Sequence, residues 1–228
     1  MSLRVVVTGA TGGIGSALVR LCVQRGDAVV AVARPSEALD ALCAETSAVA
    51  APLDLLRPTE LPDALTTLDR VDALVHAAGV SEVASVADTS HDLWQQTMTA
   101  NVTGPAELTR ALLPAVRAAG GRVVFVNAVA GLHAVPNWSA YVASKAALTE
   151  LAASLRLEEA AHGVRVTSIY PGGVATELLR KVRGALGRPF DPDACVSPGS
   201  LAAIVGTVLD APADVDITDI SLQPSPSR

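Results

Sequence analysis

Short runs of β-branched residues alternate with longer Ala- and Leu-rich stretches along the chain, and this alternation limits the possible folds most strongly. The runs that predict strands are Arg4–Thr8, Ala28–Ala33, Ala48–Leu53, Ala73–His76, Arg122–Asn127, Val164–Ile169 and Asp216–Leu222. The stretches with helical apolar spacing are Gly13–Arg25, Glu37–Glu45, Asp92–Ala118 and Ala140–His162. Apolar strands that alternate with helices indicate an α/β fold, in which a doubly wound parallel sheet of about seven strands has helices on both faces.

Composition excludes several other classes of protein. Half of the 228 residues are hydrophobic and 18% are charged, so we expect residues 1–228 to form one domain around an aliphatic core. A net charge of −6 argues against binding to nucleic acid or to an anionic membrane. The three cysteines and four histidines are dispersed, which predicts no metal site and favours the reducing cytoplasm. No apolar run approaches the roughly 18 residues of a membrane helix, and we expect no signal peptide.

A glycine-rich turn, Thr8-Gly-Ala-Thr-Gly-Gly-Ile-Gly15, follows the first predicted strand and opens the first predicted helix. Glycines let a backbone approach a pyrophosphate closely, and a helix N-terminus attracts its negative charge. The spacing Gly-x-x-x-Gly-x-Gly differs from the common dinucleotide fingerprint, and the motif of phosphate-binding NTPase loops is absent. A tight turn that binds no ligand is the alternative interpretation.

Arg34 follows the second predicted strand, where folds that prefer NAD usually place a carboxylate. A guanidinium there suits the 2′-phosphate of NADP, because it offers charged, bidentate donors. The sequence therefore favours NADP(H), with NAD(H) possible and a solvated arginine as the alternative.

Tyr141 and Lys145 are four residues apart at the start of a predicted helix, which places the phenol and the ammonium on one face. A nearby ammonium lowers the pKa of a phenol, so the pair is typical of an acid and base that works near neutral pH. Lysine is rare in this chain: Lys145 and Lys181 are the only two, against 15 arginines.

Six motifs follow one another in order at the predicted strand ends and on the helices. They are the glycine turn, Asp54, His76-Ala-Ala-Gly79, Asn101-Val-Thr-Gly104, Tyr141 with Lys145, and Pro171-Gly-Gly-Val-Ala-Thr176. Together they resemble the short-chain dehydrogenase/reductase family in its short single-domain form, from Arg4 to about Leu222. The first residue of the turn after the fourth predicted strand departs from the family, which has Asn where this chain has His76, and we expect a weaker structural hydrogen bond there.

The resemblance implies a Rossmann-type fold, a cofactor site and a proton relay. Tyr141 would exchange a proton with the substrate oxygen, Lys145 would bind the nicotinamide ribose, and Asn101 would hold a water through its backbone. The implied cofactor contacts are Gly9, Thr11, Gly12, Gly13, Ile14 and Gly15 in the glycine turn, Arg34 at the 2′-phosphate, Asp54 and Leu55 at the adenine, Ala77, Ala78 and Gly79 after the fourth strand, and Pro171, Gly172, Val174 and Thr176 at the nicotinamide.

Ala128 stands where the family has its catalytic serine, 13 residues before the tyrosine. That serine donates a hydrogen bond to the substrate oxygen, and losing one such donor typically lowers the rate by roughly 10²–10³. Asn127 is adjacent, but alternation along a strand should turn its side chain to the other face. Three explanations stay open: a deliberate inactivating substitution, a natural reductase that works without the serine, or a nucleotide-binding protein with little turnover.

The remaining interpretations concern the substrate. His133 and Trp138 lie between the fifth strand and Tyr141 and are candidates to contact it. The stretch from Gly172 to Ser200 is expected to be the least regular part of the chain, with a flexible lid over residues 173–197. The basic run from Arg180 to Arg183, with Arg188, is either solvated or binds cofactor phosphates or an acidic substrate. We expect an NADP(H)-dependent carbonyl reductase or alcohol dehydrogenase that acts on a small carbonyl or alcohol as a homodimer or homotetramer. A non-catalytic NADP(H)-binding or sensing protein is the alternative.

Overall fold

Seven parallel strands form one sheet in the computed structural model, which describes residues 2–58, 60–128 and 134–225. The sheet has the order β3-β2-β1-β4-β5-β6-β7. Its strands are β1 (Arg4–Thr8), β2 (Ala28–Ala33), β3 (Val49–Pro52), β4 (Ala73–His76), β5 (Arg122–Val126), β6 (Arg165–Pro171) and β7 (Asp219–Leu222). The strand order reverses between β1 and β4, and ligands of such sheets bind at that point, beyond the carboxyl ends of the strands.

Helices cover both faces of the sheet. Those in the described residues are α1 (Gly13–Gln24), α2 (Glu37–Thr46), α3 (Asp63–Thr66), α4 (His91–Met98), α5 (Gly104–Ala119), α6 (Ser139–Glu159), α7 (Glu177–Ala185) and α8 (Pro198–Asp210). Side chains of β1 alternate between two cores: Val5 and Val7 pack with α1 and α8, whereas Val6 packs with α5 and α6. This alternation divides the aliphatic residues into two layers, and the predicted doubly wound α/β fold is confirmed.

The long helical stretch predicted over Asp92–Ala118, which contains Pro105 and Pro114, is divided. A π-helical turn (Thr99–Thr103) separates α4 from α5, and Pro105 lies in the first turn of α5, where its missing N–H costs no helical hydrogen bond. Pro114, in contrast, lies inside α5 without ending it. The division therefore belongs to the π-helical turn and Pro105 rather than to both prolines.

The expectation that Gly172 to Ser200 is the least regular part was wrong, because this segment contains α7 and the start of α8. Thr176 caps α7, since its Oγ1 accepts the N–H of Leu179 at 3.2 Å. The two ends of the segment are also joined: the N–H of Ala175 donates to the carbonyl of Val196 at 2.9 Å, and the N–H of Val196 donates to the carbonyl of Gly173 at 2.8 Å. We call residues 173–197 the lid.

Helix α8 was also missed by the apolar-spacing prediction. Its start carries readable signals, because the Ser197 hydroxyl accepts the N–H of Ser200 at 3.0 Å and Pro198 occupies the first turn. Its interior is apolar on several sides, since α8 packs against α1 as well as the sheet, and this weakens the helical period.

Candidate active site

The turn after β1 brings three backbone segments into contact, and this explains its glycines. Gly9 has a φ of +66°, and a Cβ there would lie 2.7 Å from the Cα of Ala78. A Cβ on Gly15 would overlap the carbonyl oxygen of Gly9. Below the turn, the Thr8 Oγ1 accepts the N–H groups of Ala77 and Ala78 at 3.1 and 3.2 Å. The loops after β1 and β4 are thereby fixed together at the strand-order reversal.

Helix α1 presents an N-terminus without a side-chain cap. Gly12 occupies the capping position and has no side chain to accept the N–H groups of the first turn. Such groups and the helix dipole favour an anion. A Cβ on Gly13 would lie 2.9 Å from the Cγ2 of Thr176, so the loop after β6 closes the other side of this turn. The predicted glycine turn thus has the uncapped helix and the close backbone approach that a pyrophosphate requires.

The residues predicted to recognise the adenosine half of the cofactor follow β2 and β3, at the same edge of the sheet. Arg34 is exposed, and within the described residues its side chain forms neither a hydrogen bond nor an ion pair. The Asp54 Oδ1 accepts the N–H of Leu56 at 3.0 Å, which orients this carboxylate after β3. Leu55 is buried and packs against Gly104.

Asn101 lies in the π-helical turn and is buried. Its Oδ1 accepts the N–H of Val80 at 2.8 Å, while its Nδ2 donates to the carbonyl of Val80 at 3.0 Å and to the Ser144 Oγ at 2.9 Å. The side chain therefore fastens the loop after β4 to helix α6, a positioning role that the sequence did not reveal. The predicted water on its backbone stays a prediction.

Lys145 is buried beside Tyr141. Its Nζ donates to the carbonyl of Val126 at 3.1 Å and lies 5.8 Å from the centroid of the Tyr141 ring. Burial lowers the pKa of Lys145 to about 8. In the part of the chain that the structure describes, no carboxylate lies within ion-pair distance of this ammonium.

The expected lowering of the Tyr141 pKa is not found. Burial raises the pKa of Tyr141 to about 12, because it desolvates the phenolate. The prediction considered only the i, i+4 spacing and not the burial of the phenol.

Asn127 connects the end of β5 to helix α6. Its Nδ2 donates to the carbonyl of Lys145 at 3.2 Å and to the Thr149 Oγ1 at 3.0 Å, and its Oδ1 accepts the N–H of Ala128 at 2.9 Å. As predicted from strand alternation, the amide is committed to α6. It is therefore not a substitute for the missing serine.

Trp138 packs directly on the predicted catalytic tyrosine. Its ring is stacked on that of Tyr141, with centroids 4.5 Å apart, and its Nε1 donates to the Ser81 Oγ at 2.7 Å. Sequence reasoning missed Ser81, although its position two residues after Gly79 could have drawn attention to it.

A cavity of about 490 Å³ opens beside Tyr141. The predicted site residues that line it are Ile14, Ala128, Trp138, Tyr141, Pro171, Gly172, Val174 and Thr176. The lid supplies lining residues that the sequence did not predict as a set, namely Leu178, Leu179, Val182, Arg183, Leu186, Arg188 and Pro189. The structure thus brings the tyrosine, the alanine at the serine position and the loop after β6 to one cavity.

Two further histidine predictions have different outcomes. His133 lies outside the described residues. His76 shares a buried hydrogen bond between its Nε2 and the Thr109 Oγ1 at 2.8 Å and stacks on Phe125, whereas its buried Nδ1 has no partner among the described residues. Burial lowers the pKa of His76 to about 3, so its ring stays neutral and takes no part in acid–base chemistry near pH 7.

The described ranges contain neither a metal-binding cluster nor a membrane-spanning helix. Among residues 2–58, 60–128 and 134–225, no three His, Cys, Asp or Glu side chains are grouped so that they could hold a metal ion. No helix of the described chain is long and apolar enough to cross a membrane.

Comparison with known proteins decides the family. The short chain dehydrogenase family model matches residues 4–186. The chain belongs to the short-chain dehydrogenase/reductase family. A similar curated relative is "Dehydrogenase/reductase SDR family member 7B" of Bos taurus, 37% identical over a 190-residue alignment that covers 76% of this chain. The match spans only 58% of that bovine protein.

Solved structures of the family have the same fold. A short-chain dehydrogenase from Streptomyces avermitilis is 31% identical with a TM-score of 0.83, over 97% of this chain and 89% of that one. The closed form of serine dehydrogenase complexed with NADP+ is 27% identical with a TM-score of 0.87, over 97% of this chain and 95% of that one. This short-chain dehydrogenase/reductase is therefore an oxidoreductase by family, and its neighbours include an NADP complex.

Proposed function

We propose that this protein is an NADP(H)-dependent carbonyl reductase or alcohol dehydrogenase. The observation that carries the proposal is the cavity in which Tyr141 meets the loop after β6 at the carboxyl end of the sheet. In the reduction, NADPH and a proton convert a ketone or aldehyde to an alcohol and NADP+. Bound NADPH would supply the hydride to the carbonyl carbon, and the chain would supply the proton to the carbonyl oxygen.

Tyr141 is the proton donor in this proposal. A phenol with a pKa of about 12 is fully protonated at neutral pH, so it can donate to an oxygen that becomes an alkoxide, a much stronger base. Trp138 covers one face of the phenol ring and limits the approach of water to it. Lys145 is held behind the ring by Val126, where its ammonium would meet the ribose hydroxyls of the nicotinamide half.

Ser81 supports turnover in the absence of a serine at position 128. Three side chains that line the cavity carry hydroxyls: Ser81, Tyr141 and Thr176. The Thr176 hydroxyl caps α7 and donates to the carbonyl of Val174 at 3.3 Å. Ser81 accepts from Trp138, and within the described chain its own proton has no acceptor. Ser81 is therefore the hydroxyl that can donate to a substrate oxygen beside Tyr141.

Arg34 supports the choice of NADP(H) over NAD(H). Its guanidinium is exposed after β2 and has no carboxylate partner in the described chain. Replacing it in Arg34→Ala should weaken NADPH binding by about 10- to 100-fold, since one or two charged hydrogen bonds are lost. NADH affinity should change less than about threefold. Fluorescence titration measures both, and equal losses for the two cofactors would refute the role of Arg34.

A non-catalytic NADP(H)-binding protein is the second candidate function. The observation that favours it is Ala128, whose side chain offers no donor to the cavity. The two functions differ in turnover and agree in cofactor binding.

The experiment follows NADPH oxidation with a panel of ketones and aldehydes, for the wild type and Tyr141→Phe. We expect turnover in the wild type and a loss of at least about 10³-fold in Tyr141→Phe, with NADPH affinity nearly unchanged. Absence of turnover in the wild type together with tight NADPH binding would support the second candidate. An undiminished rate in Tyr141→Phe would show that another group donates the proton.

A further inference from the structure

Two arginines of the lid line the cavity. Arg183 on α7 is half-buried, and its Nη1 donates to the carbonyl of Pro189 at 3.1 Å. Its Nη2 lies 3.4 Å from the position that a Cβ on Gly173 would take, which places this end of the guanidinium at the floor of the cavity after β6. Arg188 follows α7 and lines the same space.

The positive charge of these arginines is not neutralised by neighbours. No aspartate or glutamate lines the cavity, and within the described ranges neither Arg183 nor Arg188 forms an ion pair. On the same helix, Arg180 and Lys181 both pair with Glu177, at 2.5 and 4.0 Å. The chain has a net charge of −6, so two unpaired cations at one cavity are a local exception. A half-buried guanidinium that has no anionic partner favours the binding of an anion, because the charged hydrogen bonds of that anion offset the cost of burying the cation.

Apart from Thr176, whose hydroxyl caps α7, the rest of the lid surface in the cavity is apolar. Leu178, Leu179, Val182 and Leu186 line it, and Trp138 lines the same cavity. A ligand that fits this cavity therefore has an apolar body and one anionic end.

We propose that the substrate is an oxo acid, or the corresponding hydroxy acid, whose carboxylate binds Arg183 and Arg188. This inference rests on the proposed oxidoreductase function and adds the substrate class to it. The cofactor's phosphates are a second source of the same anionic chemistry. The substrate is favoured, because Arg183 reaches Gly173 beside the predicted nicotinamide contact Val174, whereas the uncapped N-terminus of α1 serves the pyrophosphate.

The kinetic test compares α- and β-oxo acids with their methyl esters, which keep the carbonyl and lose the charge. We expect kcat/KM to favour each acid over its ester by at least about tenfold. Arg188→Gln should remove most of that preference. It should leave the lid unaltered, because the Arg188 side chain forms no hydrogen bond within the described residues. Arg183→Gln should remove the rest, and Arg183→Lys should restore part of it. Arg180→Gln, on the same helix and paired with Glu177, is the matched control and should keep the wild-type preference.

A binding test separates this inference from the proposed function. Hexanoate and hexanamide are titrated into the protein saturated with NADPH, and binding is followed by calorimetry, which requires no turnover. We expect hexanoate to bind at least about tenfold more tightly, with the difference lost in Arg188→Gln and Arg183→Gln. Equal binding of the two probes, or a preference that both variants retain, would overturn the inference even if neutral ketones are reduced. A loss of NADPH affinity in these variants, with no effect on hexanoate, would assign the arginines to the cofactor phosphates instead.

Discussion

The assignment of Ser81 as the donor that acts in place of the missing serine predicts a specific non-additivity. Ser81→Ala removes the only cavity hydroxyl of the described chain whose proton is uncommitted, apart from the tyrosine itself. Ala128→Ser adds a hydroxyl at the position where the family has one. If one hydrogen-bond donor suffices at the substrate oxygen, removing either hydroxyl should lower kcat only when the other hydroxyl is absent.

The magnitude follows from the geometry of Ser81. The residue is 7% exposed, lines the cavity and accepts from Trp138, so its single proton is free to donate to a ligand in the cavity. Losing one such donor typically costs about 10²-fold in kcat, or roughly 2.7 kcal/mol of transition-state stabilisation. We expect about that loss for Ser81→Ala in the natural background. In the Ala128→Ser background, we expect the same substitution to cost less than about threefold.

The assay is a double-mutant cycle on kcat, with NADPH saturating and one ketone or oxo acid that the wild type turns over. Ser85→Ala serves as the matched control, because Ser85 lies in the same loop and its hydroxyl donates to Asp88 at 2.6 Å, away from the cavity. Melting temperatures of all variants are compared, since Ser81→Ala also removes the bond from Trp138, worth about 1 kcal/mol.

Two results would refute this reasoning. If Ser81→Ala leaves kcat within about threefold of the wild type, Ser81 does not touch the developing charge. If the losses are equal in the two backgrounds, the hydroxyls at positions 81 and 128 act at different atoms.

Further predictions concern the glycine turn and the buried lysine. Gly15→Ala should lower the melting temperature and abolish NADPH binding, because the added methyl group overlaps the Gly9 carbonyl. Gly184→Ala, the control on α7, should raise the melting temperature slightly, because the space around this glycine is open and alanine favours a helix. The reverse order of the two melting temperatures in a thermal scan would contradict this packing argument. Lys145 has a pKa of about 8 in the folded protein, below its ordinary value. At a pH between the folded and the ordinary pKa, the unfolded chain binds more protons than the folded chain, so the free energy of unfolding should rise with pH over this range. Lys145→Met removes this pH dependence, so its gain in melting temperature over the wild type should be largest near about pH 7 and should shrink towards about pH 9. A gain that does not change with pH would show that the lysine is not desolvated.

Much of the fold was predictable because it depends on periodicity and on chain direction. The alternation of strands and helices predicted the sheet, and β1, β2 and β4 have the predicted bounds. Parallel strands place all their carboxyl ends at one edge, so motifs that follow different strands had to converge there. This rule, rather than any single motif, brought Tyr141 and Ala128 to one cavity with Pro171.

What the sequence did not reveal depends on contacts between distant residues. Ser81 matters because Trp138 donates to it, and nothing in the local sequence of either residue indicates that pairing. The pKa of Tyr141 is raised by tertiary burial, which the helical spacing of Tyr141 and Lys145 does not reveal. Helix α7 was missed although Leu178, Leu179 and Val182 recur at helical spacing, because the helix has only nine residues and the segment around it is rich in glycine and proline.

The hydrogen bonds that join Val196 to Gly173 and Ala175 make the lid a loop whose ends are fixed at one point of the scaffold. Residues between these ends can change in length or sequence without moving Val174, because the anchoring bonds are made by the backbone and not by the exchanged side chains. Lengthening such a loop is inexpensive, about 0.6 kcal/mol for each doubling. The lid can thus be exchanged for that of a relative without disturbing the cofactor site. A chimera that carries another lid between these anchors should acquire a new substrate range while keeping its cofactor preference.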